Sequence, residues 1–179
     1  MKPWAKLTEV MAERSRQQAR DSFEAYAQYV WPGYKPAIHH KFIITKLERV
    51  EHGELTRMMN SWPPQHGKTR TISHLFSCWF LGRHPERRVV CASYGEDRAS
   101  DTGRDVLRTL RDPKHLEVFP NSQIDETAAS STRIDLLQGG GFLAVSRNGA
   151  LTGRNCDLLI VDDLAHIIHE EWSEVRLFV

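Results

Sequence analysis

The stretch WPPQHGKTR, residues 62–70, ends like a phosphate-binding loop but begins differently. A complete loop of this kind reads G-x-x-x-x-G-K-[ST], with two glycines, a lysine and a hydroxyl at fixed spacing. Gly67, Lys68 and Thr69 supply the second half, whereas Trp62 stands at the position of the first glycine. Because average composition alone produces an isolated G-K-T triplet at times, the elements on either side must decide.

The segments next to the loop follow one another as strand, loop and helix. Residues 55–61, LTRMMNS, predict a short strand that runs into the proline pair. Residues 70–84 carry apolar side chains at helical spacing, and we expect Gly82 and Pro85 to lie beyond the end of that helix. A strand that enters the loop and a helix that leaves it are the context a phosphate-binding loop requires.

The rest of the chain continues this alternation. Residues 87–94 predict a buried strand, and residues 96–113 predict a helix that Pro113 closes. Residues 131–149 suggest two strands joined as a hairpin at a glycine triplet. Residues 156–163 form a short apolar run that ends in two aspartates. The chain is therefore predicted to be α/β, with a mainly parallel sheet flanked by helices.

Two helices are predicted before the loop. The first is charged and amphipathic, runs from Lys6 to about Val30 and stops at Pro32. The second covers residues 37–53 and ends at Gly53. We expect one side of this second helix to carry its apolar residues, namely Ile38, Phe42, Ile43, Leu47 and Val50.

The composition limits the class of protein. With 179 residues, of which 40% are hydrophobic, the chain suits one globular domain. Its 24 Lys and Arg against 23 Asp and Glu give a net charge of +1, so any contact with DNA must be local. Three distant cysteines argue against a disulfide framework or a zinc ribbon and fit a reducing cytoplasm. No segment reads as a signal peptide or a membrane span.

The residue types in the loop suit a nucleotide phosphate. Backbone N–H groups at a helix N-terminus form an anion site, and Gly67 lets the backbone approach the phosphates closely. Lys68 is expected to reach the β- and γ-phosphates, and the Thr69 hydroxyl is expected to bind Mg²⁺. Because Pro63 and Pro64 lack N–H groups, the amides of residues 66–69 must form the cradle.

The two aspartates at the end of the last predicted strand supply an acidic partner. Asp162 suits a residue that holds Mg²⁺, usually through water, and Asp163 can orient or deprotonate an attacking water. In the alternative interpretation, G-K-T is an ordinary helix start and the aspartates cap a loop. The residues alone leave both interpretations open.

Taken together, these motifs resemble the large subunit of the phage terminase, an ATP-driven motor that packages DNA into a procapsid. The resemblance covers residues 25–163 and is to the branch whose phosphate loop reads P-P-x-H-G-K-[ST]. The matching segments lie in order at residues 29–69, 89–108 and 139–163. The resemblance implies a P-loop NTPase fold of the additional-strand type.

The resemblance also implies roles for individual residues. Lys68 and Asp163 would act in catalysis, and Thr69 and Asp162 would hold Mg²⁺. The nucleotide would be bound by Gln65, His66, Gly67, Lys68, Thr69, Arg70 and His39, the last of which lies with Tyr34 and His40 near the adenine. Many relatives have arginine at the position of Gln65, so Arg154 becomes the candidate catalytic arginine, with Arg147 second.

The C-terminal part of the sequence departs from the family pattern. Leu164 stands where relatives commonly have proline, and the chain ends 16 residues after Asp163. We therefore expect the coupling motif and the nuclease domain of the family to be missing. The expected organisation is a helical lead-in and adenine-side segment over residues 1–53 and a truncated ATPase core over residues 54–179.

The function implied by the resemblance is ATP hydrolysis, with Mg²⁺, that drives double-stranded DNA into a procapsid without sequence preference. The implied partners are the portal protein, the small terminase subunit and further copies in a ring, with no membrane, in the host cytoplasm. One alternative is a helicase or another additional-strand ATPase, although the sequence shows no helicase accessory motifs. Another is an inactive nucleotide-binding remnant, which would bind ATP without turnover.

Three arginines on one stripe of the helix over residues 96–113 raise a separate question about DNA. They are Arg104, Arg108 and Arg111. Arginines neutralise DNA phosphates and release counterions. However, Asp97, Asp101 and Asp105 lie in the same helix, which favours a solvated, self-paired face.

Overall fold

The computed structural model describes residues 3–63, 65–127, 129–147 and 155–163. The α-helices among these residues are α1 (Pro3–Asp21), α2 (Phe23–Val30), α3 (Ile38–Glu51), α4 (Ser77–Arg83), α5 (Glu96–Leu110) and α6 (Pro113–Val118). A π-helix covers Arg70–Phe76, and the strands are β1 (Arg88–Ser93), β2 (Arg133–Asp135), β3 (Gly141–Ser146) and β4 (Leu158–Asp162). Among the described helices, none combines the length and apolar character that a membrane span needs.

The four described strands form one mixed sheet in the order β2-β3-β1-β4. Strand β1 pairs in parallel with both β3 and β4, whereas β2 and β3 form the predicted antiparallel hairpin. The register places Ser93 opposite Ser146 on one side and opposite Asp162 on the other. These three residues therefore share the carboxyl edge of the sheet. The predicted α/β class, with helices that flank the sheet, is confirmed, and the sheet is mixed because its β2-β3 pair is antiparallel.

The helix after the loop forms the centre of the core. Its side chains from residue 71 to residue 82 are all buried, so the helix is enclosed on every side, and its buried residues include the polar Thr71, Ser73, His74 and Ser77. The Trp79 indole donates to the Ala19 carbonyl at 3.1 Å, which fixes α4 against α1. Gly82 lies inside α4 and not beyond its end. The position favours glycine because a Cβ there would meet the Phe119 ring at 2.2 Å.

The predicted first helix is in fact two helices. The chain breaks between Asp21 and Phe23, where Ser22 has an extended backbone and caps α2 by accepting from the Ala25 amide. The Phe23 amide donates to the Glu48 carboxylate at 2.8 Å, which joins the break to α3. A serine followed by the apolar α2 is a helix start, and this signal was overlooked in the sequence.

The buried face of α3 also differs from the predicted one. Ile43, Ile44 and Leu47 are buried, whereas Ile38 is 86% exposed and Phe42 is 62% exposed. Residues three and four apart share a helix face. The buried face therefore lies about one residue further round the helix than the predicted face. The predicted helix is confirmed, and so are the buried positions of Ile43 and Leu47 and the packing of Val50 against the core, whereas the exposed Ile38 and Phe42 contradict the rest of the predicted face.

The strand predicted at residues 55–61 is wrong. These residues adopt no regular structure, and no strand in the described part of the chain pairs with them. Met58 packs against the core, but Met59 next to it is 93% exposed. A strand is stable only when a neighbouring strand pairs with its backbone N–H and C=O groups. The apolar residues of this segment were therefore not sufficient to predict a strand.

Pro113 does more than close α5. It is the first residue of α6, and the Asp112 side chain caps this helix by accepting from the Lys114 amide at 2.8 Å. Proline is favoured at the first helical position because its missing N–H would have no partner there. The segment after α5 is therefore a short helix followed by a loop.

Candidate functional site

A cleft of about 780 Å³ opens beside the loop at residues 62–70. This volume lies in the range of small-molecule and cofactor sites. The residues that line the cleft are Trp62, Pro63, Gln65, Gly67, Lys68, Thr69, Arg70, His74, Arg98, Asp101, Thr102, Asp105 and Asp163. The fold thus brings together the loop with the π-helix that follows it, one face of α5 and the residue directly after β4, which are far apart in the sequence.

The loop backbone is unusual at two positions. Gly67 has a φ of 78°, in the left-handed region that glycine enters without steric cost. Gln65 has a φ of 63°, and Asp163 across the cleft has a φ of 50°. Among the described residues, Gln65 and Asp163 are the two non-glycine residues with positive φ. Strained backbone of this kind clusters at functional sites, and here both positions line one cleft.

Lys68 joins the loop to the two aspartates at the end of β4. Its ammonium nitrogen lies 3.2 Å from Asp162 Oδ1 and forms an ion pair with Asp163 Oδ1. Burial alone lowers the pKa of Lys68, but the hydrogen bond to Asp163 and the charge of Asp162 outweigh it. The net pKa lies above its ordinary value, so Lys68 is a cation in contact with both carboxylates.

Asp162 is held from its other side by a serine that sequence reasoning missed. The Ser73 hydroxyl donates to Asp162 Oδ2 at 2.9 Å, and both side chains are buried. Ser73 lies on the π-helix that leaves the loop, and Asp162 lies on β4. The sequence contains no spacing signal for this contact, because it depends on how the helix is rotated against the sheet.

Arg98 and His74 were also missed. Arg98 lies near the start of α5, and its guanidinium is 3.8 Å from Asp163 Oδ2. His74 is buried, its Nε2 lies 2.7 Å from Thr109 Oγ1, and burial lowers its pKa to about 4. The positions on α5 were interpreted as an exposed face, so the cleft-facing side of that helix was not recognised.

The residues predicted near the adenine form a cluster of rings beside the loop. The His39 ring centre lies 4.1 Å from that of His40, 5.3 Å from that of Trp62 and 5.9 Å from that of His66. Burial, followed by the charge of His39, lowers the pKa of His40. The Tyr34 hydroxyl lies 3.0 Å from Thr71 Oγ1, which ties this segment to the π-helix.

The predicted arginines have different surroundings. Arg70 lines the cleft, and its guanidinium stacks 3.8 Å from the centre of the Trp31 ring. Arg147 follows β3 at the carboxyl edge of the sheet and is exposed. Arg154, the first candidate for the catalytic arginine, lies outside the described residues.

Two of the three arginines in the predicted stripe pair with aspartates of α5, as predicted. Arg104 forms an ion pair with Asp101, and Arg108 pairs with Asp105 at 3.3 Å. Arg111 pairs with Glu126, which follows α6, rather than with a residue of its own helix. The positive charges on this face are therefore already neutralised by neighbours.

Comparison with protein families gives one match. The family described as "Terminase large subunit, T4likevirus-type, N-terminal" matches residues 59–175, nearly two thirds of the chain. The chain belongs to this terminase family. The resemblance identified from the sequence motifs is thereby confirmed. Searches of curated proteins and of solved structures found no match.

The matched part of the terminase chain contains every residue that lines the cleft. It begins three residues before Trp62 and includes the π-helix, α4 to α6 and all four described strands. Helices α1 to α3, with His39 and His40, precede the match. Membership of the terminase large subunit family gives this chain a role in phage DNA packaging.

Proposed function

We propose that this terminase chain hydrolyses ATP in the cleft and that hydrolysis drives double-stranded DNA into a procapsid. The observation that carries the proposal is the contact of Lys68 with Asp162 and Asp163. It joins a G-K-T loop to paired carboxylates at the carboxyl edge of a parallel pair of strands, where α/β proteins bind ligands. The same arrangement supports a P-loop NTPase fold of the additional-strand type.

The loop suits a triphosphate in charge and in backbone geometry. Lys68 supplies a positive charge, and the left-handed Gly67 allows close approach of a phosphate to the amides of residues 66–69. The Thr71 amide donates to the Gly67 carbonyl at 2.9 Å, so the helix begins directly at the loop. In the proposed complex Lys68 moves from the carboxylates to the β- and γ-phosphates.

The donor set suits Mg²⁺ rather than a softer metal. Thr69 and Asp162 offer a hydroxyl and a carboxylate, the hard oxygen ligands that Mg²⁺ prefers. Within the described residues no group of three or more His, Cys, Asp or Glu side chains forms a metal cage. Mg²⁺ in nucleotide sites typically takes one or two protein ligands besides phosphates and water. When bound, it neutralises charge on the phosphate oxygens.

Asp163 is the proposed general base. Its carboxylate is half-exposed at the cleft surface and lies beyond the end of β4. From this position it can accept a proton from the attacking water, while Lys68 balances the charge of the phosphates. We propose Arg154 as the arginine that stabilises charge in the transition state, with Arg147 as the second candidate.

The mechanical role follows from the family. Closure of the site around the γ-phosphate would move bound DNA, in a ring of subunits that works with the portal protein and the small terminase subunit. We propose that the duplex is contacted through its phosphates, without sequence preference and with strong salt dependence. The proposed location is the host cytoplasm.

ATP turnover by the full chain tests this proposal, measured with and without duplex DNA. The wild type is expected to release phosphate in a Mg²⁺-dependent reaction. Asp163→Asn is expected to retain ATP binding and to lose about 100-fold or more in turnover, the usual contribution of a general base. ATP binding without turnover in the wild type, even with DNA and partner proteins, would instead favour a nucleotide-binding remnant.

A further inference from the structure

The two oxygen atoms of the Asp162 carboxylate have different partners. Oδ2 accepts the Ser73 hydroxyl at 2.9 Å, and Oδ1 lies 3.2 Å from the Lys68 ammonium. Ser73 is 1% exposed and Asp162 is 8% exposed, so the serine bond is shielded from water. A buried carboxylate with one donor on each oxygen is held in this plane, because turning out of it removes a donor from at least one oxygen.

The position of Ser73 is fixed by the helix that carries it. Ser73 lies four residues after Thr69 on the π-helix, which begins at the loop and packs against β4. The Ser77 hydroxyl donates to the Ser73 carbonyl at 2.8 Å and stabilises this turn. The π-helix begins directly after Thr69 and carries Ser73. It therefore positions one proposed magnesium ligand, Thr69, directly and the other, Asp162, through the Ser73 hydroxyl.

We propose that Ser73 is a positioning residue for Asp162: it occupies Oδ2 and thereby directs Oδ1 to the cation side of the cleft. This inference rests on the proposed function, because it assigns Oδ1 to the Mg²⁺ that accompanies ATP. Residues that hydrogen-bond a metal-binding side chain typically account for about 10–100-fold in metal affinity or activity. Without the hydroxyl, Asp162 would lose the donor that selects its orientation.

The test measures how much Mg²⁺ strengthens nucleotide binding. Calorimetry gives the Kd of a non-hydrolysable ATP analogue for the full chain, first with EDTA and then with excess Mg²⁺. The ratio of the two values is the magnesium gain. Ser73→Ala is expected to reduce this gain about tenfold while the Kd in EDTA stays the same, because the Ser73 hydroxyl donates to the proposed metal ligand Asp162 and not to the loop that would hold the phosphates.

Two further variants separate positioning from folding. Ser77→Ala removes a buried hydroxyl from the same helical segment without touching Asp162, so its magnesium gain should equal that of the wild type. Ser73→Thr keeps the hydroxyl and should restore most of the gain. If Ser73→Ala does not fold, Ser73→Cys replaces it; the weaker thiol donor should give a reduced gain under reducing conditions.

Two results would overturn the inference. One is a magnesium gain in Ser73→Ala equal to that of Ser77→Ala, and the other is a further loss when Ser73→Ala is added to Asp162→Asn, where no carboxylate is left to position. A folded wild type that binds no nucleotide in either condition contradicts the proposed function itself. The two kinds of failure can be distinguished, because in the first two results the wild type still binds the analogue and shows a magnesium gain.

Discussion

Lys68 Nζ lies 3.2 Å from Asp162 Oδ1, although one residue belongs to the loop before the core helix and the other to the last described strand. The same ammonium also pairs with Asp163. The lysine is thus the counter-ion of the acidic pair. In the proposed complex, the phosphates would replace the carboxylates as partners of Lys68, and the metal ion would replace Lys68 as the partner of the carboxylates.

Removal of the lysine should therefore strengthen binding of a free divalent cation. In Lys68→Ala the two carboxylates lose the ammonium group that competes with a metal ion. A partly exposed ion pair contributes about 1 kcal/mol, so its loss should raise the affinity for a divalent cation roughly fivefold. Titration with Mn²⁺, followed by electron paramagnetic resonance, measures this effect without nucleotide. Lys46→Ala, whose lysine lies over the Phe42 ring on α3, is the control and should not change Mn²⁺ affinity. Weaker Mn²⁺ binding in Lys68→Ala would contradict the counter-ion role.

The buried His115 should make folding stability depend on pH. Its Nδ1 lies 2.7 Å from the Tyr26 hydroxyl and its Nε2 lies 2.8 Å from Ser122 Oγ. Because the Ser122 hydroxyl donates to the Phe119 carbonyl, Nε2 must carry the proton that bonds to Ser122, and Nδ1 accepts from Tyr26. Burial lowers the pKa of His115 to about 3, so the neutral ring is the folded form.

The sign of the pH effect follows from this lowered pKa. Between about pH 6.5 and pH 3 the unfolded chain binds the proton and the folded chain does not, so stability falls as the pH falls. The contribution of His115 is fully present above about pH 6.5 and declines by at most about 1.4 kcal/mol per pH unit. Urea unfolding at pH 7 and pH 5 measures the slope, and His115→Gln should reduce it. An unchanged slope in the variant would argue against a neutral buried His115.

Gly103 should not tolerate a side chain. A Cβ on this residue of α5 would lie 1.7 Å from the Ser131 carbonyl oxygen, which is backbone and cannot move aside cheaply. Gly103→Ala is therefore expected to destabilise the fold by about 1–3 kcal/mol, although alanine is the better helix former. Gly95→Ala is the matched control, since a Cβ there meets nothing within 4 Å. Equal unfolding midpoints for the two variants would contradict the packing of α5 against residues 131–132.

The arginines of α5 should not contribute to DNA binding. Arg108 and Arg111 are paired with Asp105 and Glu126, so these carboxylates compete with DNA phosphates for the guanidinium groups. Fluorescence anisotropy with a labelled duplex, repeated over a range of KCl concentrations, should give the same affinity and salt slope for Arg108→Ala as for the wild type. A slope lower by about 0.9, the value of one phosphate contact, would place this face on the DNA.

The strands and the centre of the cleft could be predicted from the sequence because short-range signals define them. The apolar runs of β1 and β4 and the glycine triplet before β3 are local patterns, and G-K-T and D-D are recognisable without a structure. The G-K-T and D-D motifs also follow one another along the chain in the order found in the terminase large subunit. The family assignment, which the comparison confirmed, followed from several such motifs in sequence.

The parts that failed depend on packing between distant segments. Residues 55–61 have the composition of a strand, but Met59 is exposed and no described strand pairs with the segment. The buried face of α3 depends on how the helix is rotated against its neighbours, and the contact of Ser73 with Asp162 depends on how the π-helix is placed over β4. Periodicity fixes which residues share a face, but it does not select the face that becomes buried.

Binding of Mg-ATP by the full chain and by Lys68→Ala tests the central claim most directly. Calorimetry, with folding of each variant checked by circular dichroism, should show that the wild type binds Mg-ATP and that Lys68→Ala loses most of this affinity. Lys46→Ala should bind as the wild type does. Equal binding by the wild type and Lys68→Ala, or no binding by a folded wild type, would contradict a nucleotide site built on Lys68 and the two aspartates.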